Sequence, residues 1–149
     1  MCLSIVWTDE EMEAWLADQP EVIEVEKFVA VSTHKTHYVN LYRDCSFACS
    51  YASGLDRACP QWPNKAGLRK YWPNFHFYLP DNGSTPWSHC VKIKCLIKKD
   101  WVTAIGTEYQ DTVIVTSRAV FPHYPEVSAR YEDIQPFLEK AEVKDEVPV

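Results

Sequence analysis

The chain has 149 residues, 46% of them hydrophobic, 24% charged and 13% aromatic, with a formal net charge of −6. That length suits one domain, residues 1–149, able to bury roughly two thirds of the surface its unfolded chain exposes, so no metal, disulfide or cofactor is required for folding. No stretch approaches the ~18 consecutive apolar residues of a membrane-spanning helix, and the amino terminus lacks the basic and apolar regions of a secretory signal. The expectation is a cytoplasmic protein, with no membrane partner, whose six cysteines (2, 45, 49, 59, 90 and 95) are thiols.

In chain order, Thr8-Asp9-Glu10-Glu11 has the spacing of a capping box. Met12, Trp15 and Leu16 follow as an apolar stripe and Pro20 stops the helix. From Val22 to Val31 the period changes to two, with Ile23, Val25, Val29 and Val31 on one face and Val22, Glu24, Glu26 and Phe28 on the other. A turn over 32–36 and a returning strand from His37 to Tyr42 make a hairpin.

Between Arg43 and Pro73 the periodicity is lost, and cysteines, glycines and prolines punctuate one long irregular loop, with a short helix near Lys65 to Tyr71. Beyond it, strands are expected over Phe75–Leu79, Val91–Ile97, Val102–Ile105 and Thr112–Phe121, with a turn at 81–84 and Gly106 ending the third strand. A last helix over Ile134–Glu142 precedes a charged tail, 143–149, expected to fray. The fold class is therefore α+β: a twisted, largely antiparallel sheet with a few short helices and one long loop.

The charges are unevenly spread. Arg57 to Lys99 holds eight basic residues and one acid, Asp81, a net of +7, whereas the rest of the chain holds seven basic and twenty acidic residues, a net of −13. A basic middle in an acidic chain points to an anionic partner. Lys92 and Lys94 alternate with Val91, Ile93 and Cys95 and so project from the face opposite the core. Arg57, Lys65, Arg69 and Lys70 come from the loop, where Trp62, Tyr71 and Trp72 would offer stacking surfaces beside the cations. His76 and Tyr78 alternate with Phe75, Phe77 and Leu79; if the phenylalanines face the core, His76 and Tyr78 face a cleft or solvent, where His76 would donate to a phosphate or ribose oxygen or act as acid or base.

The cysteines do not form a zinc knuckle: Cys45, Cys49 and Cys59 lack a Cys-x-x-Cys pair, although with His89 or Cys90 they would supply four donors. No metal is assigned, and the identity of any cofactor is unknown.

Two resemblances bear on function. Met1-Cys2-Leu3, Asn74-Phe75-His76-Phe77, and the run from Val91 through Trp101–Gly106 to Pro122 resemble a group of small, uncharacterised phage or prophage proteins. That likeness implies no activity, but a phage origin would suit a host-directed inhibitor binding a protein or nucleic acid. More remotely, the order of elements is similar to the ADP-ribosyltransferase fold, whose split sheet holds a nicotinamide dinucleotide. Leu41-Tyr42-Arg43 resembles its arginine strand and Asp111–Val115 the strand that begins at the catalytic glutamate. The resemblance implies Arg43 as the dinucleotide anchor and a carboxylate, Asp111 or, in another register, Glu108, stabilising the ribosyl cation.

The reading preferred from sequence is binding of an anionic ligand, a nucleotide, by Arg43, Arg69, Lys70, Trp72, Lys92 and Lys94, with His76 and Tyr78 lining the cleft. Arg43, His76 and Asp111 are the candidates should the site be catalytic.

Overall fold

The computed structural model describes residues 5–32, 34–40, 54–57, 75–80, 90–108 and 111–146. Nine strands and two helices are described, in the order β1 (Ile5–Val6), α1 (Asp9–Ala17), β2 (Val22–Val31), β3 (Tyr38–Asn40), β4 (Gly54–Arg57), β5 (Phe75–Tyr78), β6 (Val91–Lys98), β7 (Val102–Glu108), β8 (Asp111–Thr116), β9 (Arg118–Phe121) and α2 (Tyr131–Glu146). A 3-10 turn, Lys99–Trp101, joins β6 to β7. The expected single-domain α+β fold with a largely antiparallel sheet is what the chain adopts.

The capping box forms as the sequence requires. Thr8 Oγ1 accepts from the Glu11 amide at 3.1 Å while the Glu11 carboxylate accepts from the Thr8 amide at 3.1 Å. Accepting that amide holds the Glu11 carboxyl below its ordinary range. Met12, Trp15 and Leu16 pack half-buried against the core. The β2–β3 hairpin forms with Val31 opposite Tyr38, and Lys35 takes the left-handed backbone (φ 56°) its tight turn needs.

Strands pair in the order β1-β7-β8-β5-β2-β6-β9-β4, with β3 on β2. Val29 is the register partner of both Asn40 and Val91, so β3 lies on the edge of β2 that β5 also uses. All pairings between the described strands are antiparallel.

This order demands strong curvature. β8 and β9 stand four strand spacings apart, roughly 19 Å in a flat sheet, yet Ser117 alone joins them, and one intervening residue spans only about 7 Å. β6 and β7 are equally far apart and joined by three residues. The two corners meet, the Ser117 amide donating to the Trp101 carbonyl at 3.0 Å. The sheet therefore folds over on itself.

Its inner face carries Ile23, Val25 and Val29 of β2, Ile93, Cys95 and Ile97 of β6, Phe75 and Phe77 of β5, Ile114 of β8 and Phe121 of β9, nearly all without solvent exposure. Phe121 meets Phe75 at 5.3 Å and Phe77 at 6.0 Å between ring centroids, although two strands separate β9 from β5. Edge-on and tilted packing of these rings closes the core.

Four expectations are corrected. The long loop is not irregular throughout: Gly54–Arg57 forms the edge strand β4, in register with Phe121–Arg118. The segment 112–121 is two strands rather than one, because Ser117 turns the chain from one half of the sheet to the other. Gly106 does not end β7; it pairs with both Val6 and Val113, and the strand runs on to Glu108. α2 extends beyond the expected 134–142 at both ends, so the first part of the expected tail is helical. The short helix near 65–71 and the turn at 81–84 lie outside the described residues.

Candidate functional site

Strand register decides which predicted site residues meet. Glu26 on β2 is the partner of Tyr78 on β5 and of Lys94 on β6. Residues paired across strands share a face, so Tyr78, Glu26 and Lys94 form a row over three adjacent strands. His76 follows Tyr78 on the same face by alternation, as does Lys92 beside Lys94. This is the outer face of the curled sheet. Asp111, at the start of β8, shares the face of Val113, the partner of Tyr78.

His76 departs from expectation. It does not front bulk solvent but is only 6% exposed. The outer face is itself buried at this end: Val113 and Val115 are fully buried and Ala104 nearly so, with Tyr78 packed against them.

Lys92 and Lys94 do project outward, but each already faces a carboxylate. Lys92 Nζ lies 3.8 Å from Glu26 and Lys94 Nζ 3.5 Å from Glu24. Lys98, buried on the same strand, meets Asp100 at 3.4 Å and Glu21 at 4.0 Å, and donates to the Phe137 carbonyl of α2 at 3.4 Å. Part of the basic middle is thus neutralised by acids at and beside its antiparallel neighbour β2, some seventy positions earlier in the chain. The charge split of the sequence is in part the two sides of one strand pair.

Beside the row, the Phe28 and Tyr78 rings stand 5.8 Å apart, tilted by 48°. The Lys94 backbone is fixed from the other side: its amide donates to the Val127 carbonyl and its carbonyl accepts from Ala129, both at 2.8 Å. These contacts put a rigid aromatic wall and two half-exposed ammonium groups on a fixed frame.

Two groups that sequence reasoning missed stand out. Lys27 sits on the inner face, 7% exposed, its Nζ 2.9 Å from the His76 carbonyl and 5.6 Å from the Phe77 ring centroid. The signal was present: Lys27 occupies an inward position of the Ile23, Val25, Val29 alternation. Close by in register, Cys95 is fully buried, and desolvation pushes its thiol pKa far upward. The second group spans the segment before α2 and its first turn, where His123 Nε2 meets Asp133 Oδ2 at 2.5 Å and Arg130 pairs with Glu126. The hydrogen bond between the latter two lowers the Glu126 pKa and raises that of Arg130.

Arg43, Arg69, Lys70 and Trp72, like Cys45, Cys49, Cys59 and His89, lie outside the described residues. Cys90 is half-buried and, like Cys95, a free thiol. Among the described residues no cluster of three His, Cys, Asp or Glu side chains is placed to hold a metal, and no helix is long and apolar enough to cross a membrane. No protein-family model, curated protein or solved structure matches the chain.

Proposed function

We propose that the outer face over β5, β2 and β6 binds an anionic ligand, a nucleotide, with its phosphates on Lys92 and Lys94 and its base against Tyr78. The observation that carries this reading is the shared face of His76 and Tyr78 on β5 and of Lys92 and Lys94 on β6, the two strands that flank β2. Tyr78 and Lys94 are two strand spacings apart, about 10 Å, a span comparable with a mononucleotide. The existing ion pairs do not block it. The Lys94–Glu24 pair, half-exposed at both partners, contributes only about 0–1 kcal/mol, so a phosphate making charge-assisted hydrogen bonds can displace Glu24 from Lys94, while Lys92 keeps an exposed ammonium beside the buried Glu26.

Calorimetric titration with nucleotides and short oligonucleotides at low salt tests the reading. Saturable binding, weakened at least tenfold in the Lys92→Ala/Lys94→Ala double variant, is expected. A flat response to every probe removes it.

Asp111 favours a second reading, transferase chemistry at the same face, because it starts β8 on the side that carries Tyr78 and His76. In that reading Arg43→Ala and Asp111→Ala each abolish dinucleotide hydrolysis or label transfer. Activity indifferent to both rejects it.

A further inference from the structure

We infer that Glu26 selects for a ligand that presents hydroxyl donors next to its anionic group, a ribonucleotide rather than a bare phosphate or phosphoanhydride. This rests on the anion-binding reading above and sharpens it. Glu26 stands at the centre of the row, the register partner of Tyr78 on one side and Lys94 on the other. It is only 4% exposed. A carboxylate carries about four acceptor positions, and one taken out of water is normally satisfied by hydrogen bonds. Among the described residues, Glu26 has one ion-pair partner, Lys92 at 3.8 Å, beyond hydrogen-bond distance. The capping Glu11 and the exposed Glu126, by contrast, both accept hydrogen bonds.

A largely buried acceptor, whose oxygens are not sealed from solvent, between an aromatic wall and two ammonium groups matches a ribose held between a base and a phosphate. Vicinal hydroxyls donate to the carboxylate, the base packs at Tyr78, and the phosphate reaches Lys92 and Lys94. The same carboxylate repels a bare anion, which gives the site a means of rejecting inorganic phosphate species.

The test is the affinity of wild type and Glu26→Gln for three probes: ADP, its dideoxyribose counterpart and inorganic pyrophosphate. Wild type should prefer ADP over the dideoxy compound by roughly 10- to 100-fold, the worth of hydrogen bonds to a charged acceptor. Glu26→Gln should lose most of that preference while binding pyrophosphate as well as or better than wild type. Equal affinity of wild type for the two nucleotides, or a Glu26→Gln variant that tightens all three probes alike, overturns the inference: Glu26 is then only the counter-ion of Lys92, and the anion site stands. Failure of wild type to bind any probe removes the site reading and the inference together. Should Glu26→Gln not fold, the wild-type comparison still decides, supported by Glu26→Asp, whose shortened carboxylate should reduce the preference without erasing it.

Discussion

The two faces of the curled sheet treat charge in opposite ways. Glu26 and Lys27 are consecutive and both buried, yet they point to opposite sides of β2. Lys27 enters an interior of Phe77, Ile93 and Cys95 and spends its ammonium on a backbone carbonyl and an aromatic face. On the outside, Lys92 and Lys94 keep their ammonium groups half-exposed opposite Glu26 and Glu24. The inner lysine is a structural element held by packing, whereas the outer ones retain charge that a ligand can reach. Burial and partner type, more than residue type, separate the two roles.

The largest expected effect concerns Cys95. Its thiol is fully buried with an upward-shifted pKa, so alkylation should require opening of the core. Because thiolate is the reactive form, Cys95 should react at least about a thousandfold more slowly in the folded than in the unfolded chain, as expected for groups exposed only by global opening. Mapping modified peptides over time checks this. Cys95 reacting as fast as the half-buried Cys90 would mean that the inner face is not closed. Phe77→Ala comes next, with an expected loss of about 3–5 kcal/mol in denaturant unfolding, because its fully buried ring touches Phe75 and Phe121 and underlies Lys27. A loss under 1 kcal/mol would break the claim that these rings close the core.

Lys27 tests what the inner face asks of a lysine. Lys27→Ala should cost about 2–4 kcal/mol, chiefly for the cavity its stem leaves. Lys27→Met should recover all but about 1 kcal/mol, since replacing a buried charge by an apolar chain of similar length also removes its desolvation cost. If Met proves as harmful as Ala, the ammonium rather than the stem is what the core requires.

How far all this was legible in the sequence depends on distance along the chain. Alternation placed His76 with Tyr78 and Lys92 with Lys94 correctly within each strand, because period two is local. That the two pairs share a face depends on register through β2, fifty to seventy residues away, which no local pattern encodes. The burial of His76 had a sequence trace in Val113-Ile114-Val115, an apolar run that reads as a strand covered on both faces. The corner at Ser117 shifts the inward phase from Ile114 and Thr116 to Ala119 and Phe121. Val113, Val115 and Val120, apolar on the other side, hide that slip. β4 was missed because four residues, Gly54-Leu55-Asp56-Arg57, carry too little pattern to outweigh the loop signals around them.

The smallest effect bears most directly on function. A double-mutant cycle on Lys94 and Glu24, whose side chains are 48% and 51% exposed, should give a coupling of about 0.2–1 kcal/mol. It should fade as salt rises and the Debye length falls below about 8 Å. The pair of Lys92 with the buried Glu26 should couple more strongly and resist salt better, because one partner is shielded from solvent. On the proposed reading, a weak Lys94–Glu24 pair would let a phosphate take the lysine at little cost. A coupling above about 2 kcal/mol that ignores salt would put the ladder in the same class as the buried contacts of Lys27. The outer lysines would then be committed to holding β6 against β2, and a ligand would have to break the sheet's own ion pairs to bind them.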